Sequence, residues 1–202
     1  MTESVFYLHE TLDKYLHDLS ARRIIPGGGS AAAAAAALGA GLNLMVINYS
    51  IKEDSDGVED KGLIVLKAKQ EEFLSRISAL IDEDCRVFSD LMRSLSSGED
   101  AEGKYIQAAE VPMDICRECC ETMEITAVLS GNCSKNLLTD VGCAGHIIKA
   151  AFHSAELNVF INLKHIKDKG FARKAREELD GMCGKIEGMS VEIIGRVEKD
   201  LM

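Results

Sequence analysis

The chemistry in this chain concentrates in a glycine turn before a helix, a single acid on an apolar helix face, and a stripe of amide side chains. Pro26-Gly27-Gly28-Gly29-Ser30 runs straight into seven alanines, Ala31 to Ala37. A helix that opens after glycines lets backbone N–H groups approach a ligand closely, and the partial positive charge there favours a phosphate or carboxylate. Ser30 is then the expected cap of the first turn. The glycines could equally do no more than shape a bend.

The acid is Asp84. At about 100° per residue, Leu66, Phe73, Ile77, Leu80, Ile81, Phe88, Leu91 and Leu95 fall on one stripe with Asp84 at its centre, while Asp82 and Glu83 point away. Burying an ionised carboxylate without partners is costly, so Asp84 must find donors, become protonated, or line a pocket that holds a ligand. A structural hydrogen bond to a neighbouring helix terminus is the alternative reading. The amide stripe consists of Asp140, Ala144, Ile147, Ala151, Ser154, Asn158, Asn162 and His165, beside an apolar row of Val141, Ile148, Phe152, Val159 and Ile166. It reads either as a groove wall or as buried amides bonded between helices. Asp140 and Asn158 stand about 27 Å apart along such a helix, too far to serve one reacting atom within one chain.

These groups need elements to position them. The 202 residues are 47% hydrophobic and 28% charged, which suits a single domain over 1–202 with its own core. Aromatics make up only 5%, tryptophan is absent and there are two prolines, so long uninterrupted stretches favour helices over sheets. The fold expected is all-α, an antiparallel helical bundle of five to six helices around an alanine-rich central helix. The segments are about Glu3–Leu19, Ser30–Ser50, Gly62–Leu95, Ala101–Leu129, Thr139–Lys167 and Phe171–Leu201, with Val5, Leu8, Leu12, Leu16 and Leu19 as the inner face of the first. Thr139 is the expected cap of the fifth, and Pro112 should kink the fourth or open a fresh turn. The second segment is small or apolar on every side and belongs in the middle of the bundle. Ala33, Ala37 and Gly41 would let another backbone come close, including one across a dimer interface.

The formal charge of −10, with 23 basic against 33 acidic residues, argues against nucleic acid. Ala31 to Ile47 raises the question of a membrane span, but Asn43 and Asn48 interrupt it and alanine drives insertion weakly, so no membrane is expected. Seven cysteines in no regular framework suit a reducing, cytoplasmic setting. Cys116, Cys119 and Cys120 read as small core residues, and the five histidines form no ligand set along the sequence, so no metal is expected.

Taken together, Pro26-Gly27-Gly28-Gly29-Ser30 with its alanine helix, Asp82-Glu83-Asp84 followed by Phe88, Glu110-Val111-Pro112, Gly131-Asn132 ahead of Thr139-Asp140, and Asn158-Val159-Phe160-Ile161-Asn162-Leu163 resemble the formiminotransferase-cyclodeaminase C-terminal domain family. That family includes stand-alone methenyltetrahydrofolate cyclohydrolases, and the resemblance runs in order along nearly the whole chain. It implies a helical bundle, a homodimer and a folate site, with a tetrahydrofolate derivative as substrate and no prosthetic group. Under it, Asp84 and Asp140 are the candidate catalytic carboxylates, Asp140 matching the family's Ser-Asp pair with Thr139 in place of serine. Asn158 and Asn162 would meet the pterin edge or the partner helix. Gly27, Gly28, Gly29 and Ser30 would receive the glutamate tail, assisted by Arg22 or Arg23. Where relatives tend to carry a glycine and lysines after the alanine helix, this chain reads Ser50-Ile51-Lys52-Glu53-Asp54-Ser55-Asp56, which weakens attraction for a polyanionic tail. The implied reaction is hydrolysis of methenyltetrahydrofolate, favoured because no formiminotransferase segment accompanies the domain. Cyclodeamination of formiminotetrahydrofolate and a non-catalytic folate-binding or assembly module are the alternatives.

Overall fold

Caps and long-range contacts decide where the helices of this chain begin. In a computed structural model, which describes residues 6–51, 61–98 and 100–202, the Thr11 hydroxyl accepts from the Lys14 N–H at 3.1 Å and opens α1 at Leu12–Ser20. The expected helix from Glu3 is therefore shorter at its start. Ahead of it, Tyr7–His9 form a 3-10 turn whose Tyr7 N–H donates to the Asp82 carboxylate at 2.6 Å, so Asp82 holds this segment and does not point away. The leucine face of α1 is also turned outward over most of its length: Leu12 is 72% and Leu16 52% exposed, while Tyr15 and Asp18 are buried and only Leu19 of that face packs on the core. Asp18 turns inward because Tyr7 Oη donates to it at 3.1 Å and Lys14 and Arg23 pair with it.

Five further helices follow: α2 Gly28–Ser50, α3 Lys61–Ser97, α4 Glu102–Asn132, α5 Leu138–Leu163 after a 3-10 turn at Lys135–Leu137, and α6 Lys169–Leu201. No strand occurs among the described residues. The all-α expectation holds, with boundaries moved by capping. Asp168 accepts from the Gly170 and Phe171 amides at 2.8 and 3.0 Å, starting α6 before Phe171. Thr139 lies inside α5 and caps nothing, since the preceding 3-10 turn leads directly into that helix.

Helices α4 and α5 pack on each other; α2 lies against α3, α4 and α5, and α6 covers α4 and α5. Cys116 and Cys119 are fully enclosed, as small core residues should be, along with Met123, Ile148, Phe152 and Ile193. The alanine helix contributes Ala32, Ala33, Ala36 and Ala40 to this core, yet its outer side carries Leu38 at 68% and Tyr49 at 71% exposure. It is thus covered on one side within the chain. Among the described residues it is the helix long and apolar enough to cross a membrane, and half of its most apolar window is buried. Asn43, which interrupts that window, donates to Thr126 Oγ1 at 2.8 Å and so ties α2 to α4.

Within the chain a close backbone approach falls at Gly39, where a Cβ would stand 2.5 Å from Ile148 Cγ1, whereas one on Gly41 would meet nothing within 4 Å. Ala33 is itself buried inside the chain, which removes it from any interface. Helix α4 runs unbroken through Pro112. A proline lacks the N–H that would reach the carbonyl four residues back, and Asn162 Nδ2 supplies the missing donor to that carbonyl, Ala108 O, at 2.8 Å.

Glycine-to-alanine changes should therefore have opposite signs at two helical sites. Gly39→Ala should lower the unfolding free energy by about 1–2 kcal/mol, the overpacking cost exceeding the gain in helix propensity. Gly181→Ala, whose Cβ would meet nothing within 4 Å, should raise it by about 0.5–1 kcal/mol. Chemical denaturation of both variants checks this.

Candidate functional site

Asp84 reaches the cleft because α3 is long enough to carry it past the start of α2. Its Oδ2 accepts the Ser30 N–H at 2.9 Å, one of the amides that a helix start leaves without an internal partner. A side chain at position 29 would forbid this contact, since a Cβ there would lie 2.0 Å from Asp84 Oδ1. The third glycine is thus required by a carboxylate of the chain itself. Helix α2 begins at Gly28 with Gly27 in the capping position and no side-chain cap. This corrects the role expected for Ser30: it sits fully buried in the first turn, its hydroxyl 3.1 Å from Tyr15 Oη.

A cleft of about 270 Å³ opens where the start of α2, the middle of α3, the first half of α4 and the end of α5 meet. Gly27, Gly28, Gly29, Asp84, Asn158 and Asn162 all line it, so most of the expected site residues converge. Gly28 leaves room for the Asn158 amide, which would stand 3.3 Å from a Cβ there. Asn162 spends its Nδ2 on Ala108 O and Asn158 O, and Asn158 spends its own on Ser154 O. Both of the readings of the amide stripe are realised, because the nitrogens bond within and between helices while, among the described residues, the amide oxygens stay available as acceptors. Val87, Phe88 and Leu91 of α3 provide an apolar wall.

Asp140 does not join them. It lies in the first turn of α5, about 27 Å by helix rise from Asn158 near the other end, and it does not line the cleft. Arg23 is drawn to Asp18 at 3.3 Å, and no lysine or arginine lines the cleft among the described residues. Residues 52–56, where an acidic segment was expected to act on an anionic tail, lie outside the described residues. His165 ends the amide stripe, and Tyr105, which sequence reasoning missed as a site residue, stacks on it at 4.6 Å between ring centroids and 15° between planes on the cleft wall. The pair is 60 residues apart, so no local pattern could have announced it.

The electrostatics follow from burial. Desolvation pushes the Asp84 carboxyl up to about 6, and the Ser30 N–H pulls in the opposite direction. Such a group carries a useful fraction of both protonation states near neutral pH. Burial also pushes the adjacent Cys85 thiol up to about 11, which leaves it protonated and a poor nucleophile. The cleft does not gather three metal-ligating side chains among the described residues. An acid without a nearby cation, a stacked aromatic pair and amide acceptors together suit a flat ligand that bears positive charge and N–H donors.

Known proteins share this chain's sequence pattern and fold. The formiminotransferase-cyclodeaminase family matches residues 11–181. A methenyltetrahydrofolate cyclohydrolase from Methylorubrum extorquens is 28% identical, over 94% of this chain and 97% of its own. The formimidoyltransferase-cyclodeaminase of Rattus norvegicus is 24% identical, over 95% of this chain but only 37% of that longer protein. A crystal structure of formiminotetrahydrofolate cyclodeaminase from Thermotoga maritima superposes with a TM-score of 0.90 at 26% identity, covering 96% and 98% of the two chains.

The raised Asp84 pKa has a signed consequence for stability. Its folded value, about 6, exceeds the ordinary 3.8, so the folded state binds the extra proton between them and this contribution is lost as pH rises through about 6. The stability difference between the wild type and Asp84→Asn should therefore shift against the wild type from about pH 4 to about pH 6 and then level off. Denaturant titrations of both proteins across that range measure it.

Proposed function

The chain belongs to the formiminotransferase-cyclodeaminase family, and from that premise we propose that it is an enzyme of one-carbon metabolism that hydrolyses 5,10-methenyltetrahydrofolate to 10-formyltetrahydrofolate. The observation that carries the reading is a carboxyl poised near neutrality on the wall of a cleft that, among the described residues, holds no lysine or arginine. The substrate's reacting carbon sits in a cationic amidine, which a lone carboxylate attracts and a lysine would repel.

Asp84 in its charged form takes a proton from the water that attacks the bridging carbon. A neutral tetrahedral adduct results, with the new hydroxyl on that carbon. The protonated Asp84 then delivers its proton to N5 as the bond between carbon and N5 breaks. The hydroxyl becomes the formyl oxygen, its proton passes to solvent, and Asp84 is again a carboxylate. The balance is one water consumed and one proton released. Tyr105 and His165 provide a platform for the ring, and the Asn158 and Asn162 oxygens accept from its N–H edge. At about 270 Å³ the cleft is at the small end of ligand sites, so it takes the ring system and leaves the glutamate tail outside.

Cyclodeamination is the second reading, favoured by the likeness to the Thermotoga maritima cyclodeaminase. It uses the same acid to move protons at the same carbon, with ammonia rather than N5 departing. A homodimer fits the uncovered side of α2, where Leu38 and Tyr49 face outward. Seven unpaired cysteines suit a reducing, cytoplasmic setting.

Purified protein should accelerate the loss of methenyltetrahydrofolate absorbance. Its kcat/KM should rise with pH through an apparent pKa near the 6 of Asp84 and then flatten. Asp84→Asn should lose turnover by about 10²–10⁴-fold while still folding. Ammonia release from formiminotetrahydrofolate would favour the second reading, and a folded protein inert on both substrates would point to a binding module.

A further inference from the structure

Away from the cleft, the packing of α5 on α6 assembles a mixed set of donors. His153, Glu156 and Cys183 place their ligand atoms within 4.8 Å of one another. The first two are spaced i, i+3 on α5, one turn apart on the same face. Cys183 comes from α6, followed one turn later by Glu187, whose Oε1 lies 2.9 Å from His153 Nε2. None of these side chains lines the cleft.

We propose that His153, Glu156 and Cys183 form a zinc site that clips α5 to α6. The donor chemistry selects the ion: an imidazole nitrogen, a carboxylate oxygen and a thiolate together match Zn²⁺, while hard oxygen-seeking cations reject the thiol. In a tetrahedral zinc centre the ligand atoms stand roughly 3.3–3.5 Å apart by bond length. Side-chain rotation of half-buried residues closes the remaining gap. The surrounding charge also favours a dication. Glu156, Glu187 and Asp180 all act on the Cys183 thiol, with Lys149 as the opposing cation, so the pocket holds surplus negative charge before the thiol ionises.

The supporting shell is already in place. His153 Nδ1 faces Glu156 at 3.2 Å, and Nε2 contacts Glu187, which Lys149 holds at 2.7 Å. With Nδ1 on the metal, the Nε2–H donates to Glu187, the carboxylate–histidine arrangement that fixes a ligating ring. Water completes the coordination. Three protein ligands from two helices give the clip a structural purpose, because α6 carries Gly181, Gly184 and Gly188 across this contact and is intrinsically weak there. The inference does not depend on the folate reading and is tested without turnover.

Chelator-treated full-length protein titrated with Co²⁺ should take up one equivalent per chain and show a thiolate-to-cobalt charge-transfer band. Zinc at about one hundred times its Kd should raise the melting temperature by about 5–10 °C, reversed by chelator. Cys183→Ser should abolish the band, and both His153→Ala and Glu156→Gln should weaken zinc binding at least tenfold. The seven cysteines make the variants decisive. A band that persists in Cys183→Ser, or a zinc-induced melting shift unchanged in His153→Ala and Glu156→Gln, overturns the assignment, as does the absence of cobalt uptake by the wild type. If Cys183→Ser fails to fold, Glu156→Gln decides by the same melting shift.

Discussion

One hydrogen bond organises this molecule: the Asp84 carboxylate accepting the Ser30 N–H across a glycine that has no side chain to prevent it. It joins the middle of α3 to the start of α2 and fills a backbone donor that the helix leaves open. The helix terminus is electropositive, which holds the acid in place, while the apolar wall opposes its ionisation. Those opposed influences leave the carboxyl near 6. A structural helix-terminus contact and a reactive acid are therefore one and the same feature here. Gly29 serves both, and the Ser30 side chain is spent elsewhere, on Tyr15.

The rest of the cleft is built on irregularities in otherwise regular helices. Pro112 strips a donor from α4, and the carbonyl left open at Ala108 captures Asn162. That capture turns the end of α5 toward the cleft and uses up the amide nitrogen, so an acceptor remains for a ligand. Between these points the bundle is closely packed, with Gly39 allowing α2 and α5 to meet at a distance that an added Cβ would strain. Site groups on rigid helices hold their positions better than groups on loops. The uncovered side of α2 belongs to the same economy of small residues, because a helix that is apolar all round has only half of its most apolar window buried among the described residues.

Much of this was legible in residue order, and the exceptions share a cause. Apolar periodicity located the long helices other than the alanine-rich one, and the stripe centred on Asp84 correctly turned that acid toward the interior. Periodicity failed for Leu8, Leu12 and Leu16 of the first segment, which stay exposed, while Leu19 packs on the core as expected and Val5 lies outside the described residues. Asp82, more than 70 residues away, captures the backbone at Tyr7, and Asp18 with its ring of donors turns the other side inward. A buried aspartate whose Oδ2 is held by Tyr7, Lys14 and Arg23 outweighs Leu12 and Leu16, which stay exposed. The Ser30 cap failed for a related reason, since glycines allowed the helix to begin earlier and a distant carboxylate did the capping.

By itself, then, the sequence determined the helical class, the approximate places of the main helices, the inward acid and the glycine turn beside it, because each is written in local propensity and in spacing of a few residues. Only the tertiary structure decided that Gly27, Gly28, Gly29, Asp84, Asn158 and Asn162 share a cleft while Asp140 stands apart, and that Tyr105 stacks on His165. It also brought His153 and Glu156 against Cys183. Those pairings depend on how helix faces turn against one another, and that rotation is settled by the summed burial and hydrogen bonding of the whole bundle, which no short window of residues encodes.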